Sequence, residues 1–221
     1  MPRRIIGAAF VSLDGVMQAP GGPTEDPSGG FAHGGWLTAA MDEELGENID
    51  RVLAEPFALL LGRRTYDIFA AYWPLVPDDN PIAATFRRIG KYVLTGSDQP
   101  LAWEGSHRLA DIDALATLKE TDGPDLVIQG SSTLYPQLLA RGLIDRLELM
   151  IAPILLGGGK RLFGTGTPAG LYRLVAHKVT RNGIVLATYE PDGPLVTGSF
   201  ADIEPGELEL ARRKAIAEGT W

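Results

Sequence analysis

The chain has 221 residues, 45% of them hydrophobic, enough to bury one sizeable core with an appendage to spare. Its 27 glycines and 16 prolines stay below the roughly 25–30% that marks low-complexity disorder. A net charge of −8 argues against nucleic acid as a partner, and the lack of cysteine excludes disulfides, thiolate metal sites and cysteine nucleophiles.

Taken in chain order, Arg3-Arg4 followed by the apolar run Ile5 to Val11 imitates a secretory leader. The run is only seven residues and ends at Ser12-Leu13-Asp14, so it reads as a first strand. The later apolar stretches, Phe57 to Leu61 and Leu149 to Leu156, fall far short of the ~20 residues that span a bilayer. The expectation is a soluble cytoplasmic protein without a membrane partner.

Short apolar runs alternate with helix-period segments through the first two thirds, the pattern of an α/β fold with a mostly parallel sheet. Strands are predicted at Ile5 to Val11, Phe57 to Leu61, Lys91 to Thr95, Leu126 to Gln129 and Arg146 to Ala152. The apolar stripe Leu37, Met41, Leu45, Ile49 and Val52 predicts a helix over Trp36 to Ala54. Arg63 to Ala71, Ile112 to Glu120 and Ser132 to Arg141 are further helices. Leu171 to Thr180 and Ile184 to Glu190 flank Asn182-Gly183, a pair suited to the positive φ angles of a tight turn, and predict an antiparallel hairpin. Residues 191–221 form a tail in which Glu204, Glu207 and Glu209 precede Arg212, Arg213 and Lys214, the charge order of a helix of about four turns. A domain over 1–190 and a tail over 191–221 follow.

Two strand-to-helix turns carry the chemistry. Leu59-Leu60-Leu61 runs into Gly62-Arg63-Arg64-Thr65, where free N–H groups at a helix start and two guanidinium forks suit a phosphomonoester such as the 2′-phosphate of NADP. Leu126-Val127-Ile128-Gln129 enters Gly130-Ser131-Ser132-Thr133-Leu134, where glycine lets backbone approach closely and the hydroxyls either cap the helix or meet phosphate. Two such turns at one end of a parallel sheet make a crevice long enough for a dinucleotide. Thr95-Gly96-Ser97 ends a third strand in the same manner. Gly157-Gly158-Gly159-Lys160-Arg161, amid apolar residues, suggests backbone passing close to a ligand. Gly159-Lys160 fits no Walker loop, no Gly-x-Ser-x-Gly elbow exists, and His33, His107 and His177 lack metal-ligand spacing, so no metal site is expected.

Together, Val11-Ser12-Leu13-Asp14-Gly15-Val16, Leu60-Leu61-Gly62-Arg63-Arg64-Thr65-Tyr66, Gln129-Gly130-Ser131, Gly142-Leu143-Ile144-Asp145 and Pro153 through Gly157-Gly158-Gly159-Lys160-Arg161-Leu162-Phe163 carry a resemblance. They resemble the reductase domain of riboflavin biosynthesis, the C-terminal half of bifunctional deaminase-reductases, within the dihydrofolate-reductase-like superfamily. The resemblance spans residues 3–190 and implies a mixed sheet with a C-terminal hairpin, NADPH at the carboxyl ends of the strands, and a homodimer. It places Gly62 to Thr65 and Thr95 to Ser97 at the adenosine end, Gly130 to Leu134 at the pyrophosphate, and Asp14 facing substrate and nicotinamide. The chain departs from relatives in having Gln129 before Gly130 where Gly-Gly is common, and Arg146 where an acidic residue is common. No Pro-Trp precedes the first long helix, and Glu44 is its only candidate for a folate-binding acid.

The reading is an NADPH-dependent reductase sending hydride to a C=N or C=O carbon of a small polar, heterocyclic substrate, related to the reductase of the phosphoribosylaminouracil intermediate. Asp14 positions substrate or relays a proton, or else stabilises its turn before Gly15. Trp36, Tyr66, Gly157, Gly158 and Phe163 are the candidate substrate walls, residues 20–35 a candidate lid, and Lys160 and Arg161 a candidate site for a substrate phosphate. The alternatives are a non-catalytic NADPH or nucleotide-binding module acting as sensor or scaffold, and an oligomerisation unit built on the tail helix.

Overall fold

A computed structural model describes residues 2–54, 56–200 and 203–221. Eight strands form one sheet: β1 (Ile5–Ser12), β2 (Phe57–Gly62), β3 (Lys91–Leu94), β4 (Ser106–Leu109), β5 (Asp125–Gln129), β6 (Arg146–Ala152), β7 (Tyr172–Val179) and β8 (Val185–Pro191). The helices are α1 (Glu43–Val52), α2 (Arg63–Tyr72), α3 (Pro81–Arg88), α4 (Ile112–Lys119), α5 (Leu134–Ala140) and α6 (Glu207–Ala217).

The sheet order is β4-β3-β2-β5-β1-β6-β8-β7. Pairing is parallel from β4 to β6 and antiparallel between β6, β8 and β7. β1 lies between β5 and β6, with Ile5 opposite Leu126 and Ile6 opposite Arg146. Side chains alternate along β1 and β2, so each strand feeds two cores. Ile5, Ala9, Ala58 and Leu60 pack with Leu115 of α4 and Leu134 and Leu138 of α5. Ala8, Phe57, Leu59 and Leu61 pack with Tyr66 of α2 and Phe86 of α3. A third cluster joins Leu45 of α1 to Met150, Ala152, Ile184 and Leu186. This two-sided burial explains why β2 reads as an unbroken apolar run.

Several expected elements change. The helix over Trp36 to Ala54 is confined to Glu43–Val52, because the Asp42 side chain accepts the Leu45 N–H and caps the chain there. Upstream, Trp36, Leu37 and Ala40 reach the same core from turns, so an apolar stripe continues without a helix beneath it. Two elements went unpredicted. α3 is started by Asn80, whose side chain accepts from Ile82 and Ala83, with Pro81 at its first position. β4 is a polar four-residue strand at the sheet edge whose His107 and Arg108 are exposed, leaving no apolar run to read. The hairpin forms as expected, with Gly183 at φ +81 and its N–H donated to the Thr180 carbonyl. The tail carries α6, 11 residues and so roughly three turns, with no buried side chain.

Lys91 is fully buried, its ammonium donating to the carbonyls of Arg87 and Glu104 and lying 4.5 Å from the Trp103 ring centroid. Burial pulls its pKa below the ordinary lysine value. Under the centre of the sheet, a Cβ at Gly7 would come within 2.7 Å of the Tyr135 ring, so glycine at this β1 position makes room for the aromatic. The Tyr135 hydroxyl is fully buried and has no hydrogen-bond partner among the described residues. A buried, unmade hydrogen bond costs about 1–3 kcal/mol. Tyr135→Phe is therefore expected to raise the melting temperature by about 2–4 °C per ~1 kcal/mol recovered, read by differential scanning calorimetry. A lower melting temperature would mean that the hydroxyl has a partner.

Candidate nucleotide and substrate sites

The parallel strands β1, β2, β3 and β5 end at one edge of the sheet, and the turns that leave them hold one another. The Ser131 hydroxyl accepts the Gly62 N–H at 2.8 Å, and the Thr65 hydroxyl accepts the Ser131 N–H at 2.9 Å. Gly130 and Ser131 both sit in the left-handed region, at φ +62 and +61. A Cβ at Gly130 would also meet Thr65 Cγ2 at 2.8 Å, so this position requires glycine twice over. Ser131 has no such exemption, and its strained backbone is kept by the two hydrogen bonds to the neighbouring turn.

Beside this clasp opens a cavity of about 860 Å³, lined by Gly62, Arg63, Arg64, Thr95, Gly96, Thr133 and Leu134 among the sequence-predicted residues. The amino ends of α2 and α4 face it, and their free N–H groups favour an anion. Arg63 is immobilised, donating to Asp67 at 2.9 Å and to the Gln99 carbonyl at 3.0 Å. Arg64 is exposed and has no partner among the described residues. The remaining predicted residues, Thr65, Ser97, Gln129, Gly130, Ser131 and Ser132, lie outside the lining and shape the turns; the Ser97 hydroxyl accepts the Gln99 N–H. Sequence reasoning missed Asp111, Asp113 and Gln137 in the wall. The signal was present in Asp111-Ile112-Asp113, since Asp111 caps α4 by accepting the Ala114 N–H. Asp113 is paired with Arg141 at 2.6 Å.

A second group of loops gathers around Asp14. Residues 15–17 and 160–162 run as a short antiparallel ribbon, with Met17 N–H donated to the Lys160 carbonyl and Leu162 N–H to the Gly15 carbonyl. The Asp14 carboxylate accepts the Ser12 hydroxyl at 2.6 Å, the Leu156 N–H at 3.1 Å and the Gly157 N–H at 2.9 Å, and lies 3.7 Å from the Arg161 guanidinium. Those bonds, the Ser12 hydroxyl foremost, hold its pKa down at about 2. These contacts are those of the alternative reading of Asp14, as a turn stabiliser.

A smaller cavity of about 390 Å³ lies between residues 18–33 and 156–160, with Gln18, Phe31, His33, Gly158 and Lys160 in its wall. Of the expected substrate walls, Gly158 lines it and Gly157 supports it through Asp14. Tyr66 is corrected to a core residue, 2% exposed, its hydroxyl accepting the Trp103 N–H. Trp36 is also corrected: it is buried, and its indole N–H donates to the Gln18 carbonyl. Both are aromatics with a polar tip, which a core accommodates once that tip is bonded. Phe163 is half-exposed and lines neither cavity. Glu44 accepts the Arg181 N–H and pairs with Lys178 at 3.0 Å, so it ties α1 to the hairpin.

A mostly parallel eight-stranded sheet, helices on both faces, an antiparallel C-terminal hairpin and a cleft at the carboxyl ends of the strands define a dihydrofolate-reductase-like α/β protein. Within that class the chain belongs to the RibD C-terminal domain family, whose model matches residues 3–186. It is similar to the uncharacterized protein YyaP of Bacillus subtilis (strain 168), 25% identical over 198 residues that cover 86% of this chain and 96% of that one. The fold matches a putative riboflavin biosynthesis protein from Shewanella sp. PV-4 with a TM-score of 0.64 and 21% identity, covering 87% of this chain and 99% of that chain. It also matches dihydrofolate reductase from Enterococcus faecalis, solved in complex with NADP(H) and RAB-propyl, with a TM-score of 0.53 and 16% identity over 86% of this chain and 96% of that chain.

Because the folded-state pKa of Asp14 lies below its ordinary 3.8, the stability it contributes is present above about pH 4 and is lost as the pH falls toward about 2. The melting temperature of Asp14→Asn is thus expected to lie below that of the parent at neutral pH. The gap should close in melts recorded between pH 5 and pH 2; a constant gap would show that the charge on Asp14 does not hold the loops.

Proposed function

We propose that the chain is an NADPH-dependent reductase that delivers hydride to a C=N or C=O carbon of a small polar, heterocyclic substrate. The observation that carries this reading is the cavity at the carboxyl ends of the strands, where the start of α2 and the unpaired Arg64 meet the start of α4. This donor set fits the phosphates of a dinucleotide: fixed N–H groups, one pinned guanidinium and one free one.

NADPH supplies the hydride when bound. Arg64 takes the 2′-phosphate, with Arg63 held flat beside it by Asp67 and the Gln99 carbonyl. Because Ser131 occupies the Gly62 N–H, the amides left for phosphate begin at Arg63. Thr95, Gly96, Thr133 and Leu134 line the rest of the cofactor groove. Asp14 orients the loop through the Leu156 and Gly157 N–H groups, and the proton that accompanies hydride comes from solvent in this scheme. Residues 18–33, tied down through Gln18 and Asp26, limit the entry of water.

The protein is cytoplasmic in this reading; no helix among the described residues is long and apolar enough to cross a membrane. It works as a homodimer, supported by the half-exposed Leu174, Val175 and Val179 on the edge strand β7 and by Leu195, Val196 and Phe200 in the tail. Light scattering is expected to give twice the chain mass, and removing residues 194–221, which follow the backbone bond between Leu171 and Gly193, should reduce it to one.

The deciding experiment is a fluorescence titration with NADPH and with NADH. Arg64→Ala should weaken NADPH by about tenfold or more, the loss of one charge-assisted contact worth ~1.5–3 kcal/mol, and leave NADH unchanged. No binding of either cofactor would end the reading. Tight NADPH binding without oxidation across carbonyl, imine and pterin substrates would favour a binding module.

A further inference from the structure

Lys160 lines the smaller cavity and Arg161 follows it in the chain, and each already has a carboxylate. The Lys160 ammonium sits against Asp26 and 2.7 Å from the Ser28 hydroxyl. The Arg161 guanidinium lies 3.7 Å from the Asp14 carboxylate and donates to the carbonyls of Asp14 and Gly157. Both cations are therefore matched by a carboxylate.

Five of the seven backbone donors of residues 156–162 are taken as well. A glycine-rich turn that runs into lysine and arginine ordinarily offers amides to a phosphate. Here the N–H groups of Leu156 and Gly157 go to Asp14, that of Gly158 to the Leu156 carbonyl, that of Lys160 to the Gln18 side chain, and that of Leu162 to Gly15. The anion in this turn is Asp14 of the chain itself. Gln18 is occupied too, donating to the carbonyls of Asp26 and Ser28. What the cavity presents is the Phe31 ring, the His33 imidazole set edge-on to it at 5.8 Å between centroids, and the backbone of Gly29, Gly30, Gly158 and Gly159.

We infer, building on the reductase reading, that the substrate received between residues 18–33 and 156–160 is a flat polar molecule without a phosphate group. A phosphate dianion set against Lys160 would draw it from Asp26 and leave that carboxylate, 13% exposed, uncompensated beside it. On this inference the substrate is not the phosphoribosyl intermediate that the resemblance suggests. A neutral heterocycle meets ring surface and backbone and displaces no ion pair.

The test uses the full chain, isotopically labelled and saturated with NADPH so that nucleotide probes stay out of the larger cavity. Matched probes that differ by a phosphate, uridine against UMP and riboflavin against FMN, are titrated while the amide signals of Gly29, Gly30, Gly158 and Gly159 are followed by NMR. The neutral members should shift these signals and the phosphorylated ones bind at least about tenfold more weakly. Asp26→Asn, which releases Lys160, should shrink or invert that ratio. A phosphorylated probe binding the parent chain as tightly as its neutral partner, or no neutral probe shifting the signals, overturns the inference. If NADPH itself does not bind, the cofactor reading fails separately, and the same titration of the free chain still decides the question of phosphate.

Discussion

Parallel pairing around β1 is the constraint on which the rest of the molecule depends. β1 pairs in parallel with β5 and β6, β5 with β2, β2 with β3, and β3 with β4, so the carboxyl ends of six strands lie along one edge of the sheet. Each strand then leaves through a turn at that edge, and turns far apart in sequence become neighbours. The Gly62 and Ser131 turns are 69 residues apart yet share a 2.8 Å hydrogen bond. Burial on both faces makes the register strict, because a slip by one residue would exchange the two cores. A cleft at this edge is a consequence of topology before any single residue is considered.

Within that frame, polar groups that look like ligand contacts in the sequence divide into two kinds. Thr65, Ser131 and Asp14 complete the backbone of neighbouring loops. Arg64, lacking a partner among the described residues, is left facing the larger cavity. The distinction is one of hydrogen-bond capacity: a carboxylate that already accepts from Ser12, Leu156 and Gly157 has little left for a substrate, whereas an unpaired guanidinium keeps its fork. The strained φ of Ser131 belongs with this division, since the bonds it makes across the two turns hold it in place.

Much of the fold was legible because burial on both faces leaves an unmistakable trace: β2 is apolar at every position, β1 at all but Ser12, and β5 and β6 hold the apolar runs Leu126 to Ile128 and Leu149 to Ala152. The Asn182-Gly183 turn was legible for a local reason, its demand for positive φ. β4 was not, since an exposed edge strand of Ser106-His107-Arg108-Leu109 has no apolar pattern. The start of α1 was misplaced because Trp36 and Leu37 fit a helical stripe while their burial is achieved from turns. The larger cavity was half legible. Gly62, Arg63, Arg64 and Thr95 announced themselves as strand-end turn residues, but Asp111, Asp113 and Gln137 enter the wall only because α4 and α5 begin beside them.

The sequence by itself determined the α/β class, the strands of the central sheet, the closing hairpin and the two glycine turns at the strand ends, since each follows from local composition and spacing. Only the tertiary structure decided which of these groups remain available. Tyr66 and Trp36 went to the core, Ser131 to a clasp, and Asp14 to the glycine turn, because each polar group bonds to the nearest complementary group, and which group is nearest depends on contacts across as many as 143 residues of chain.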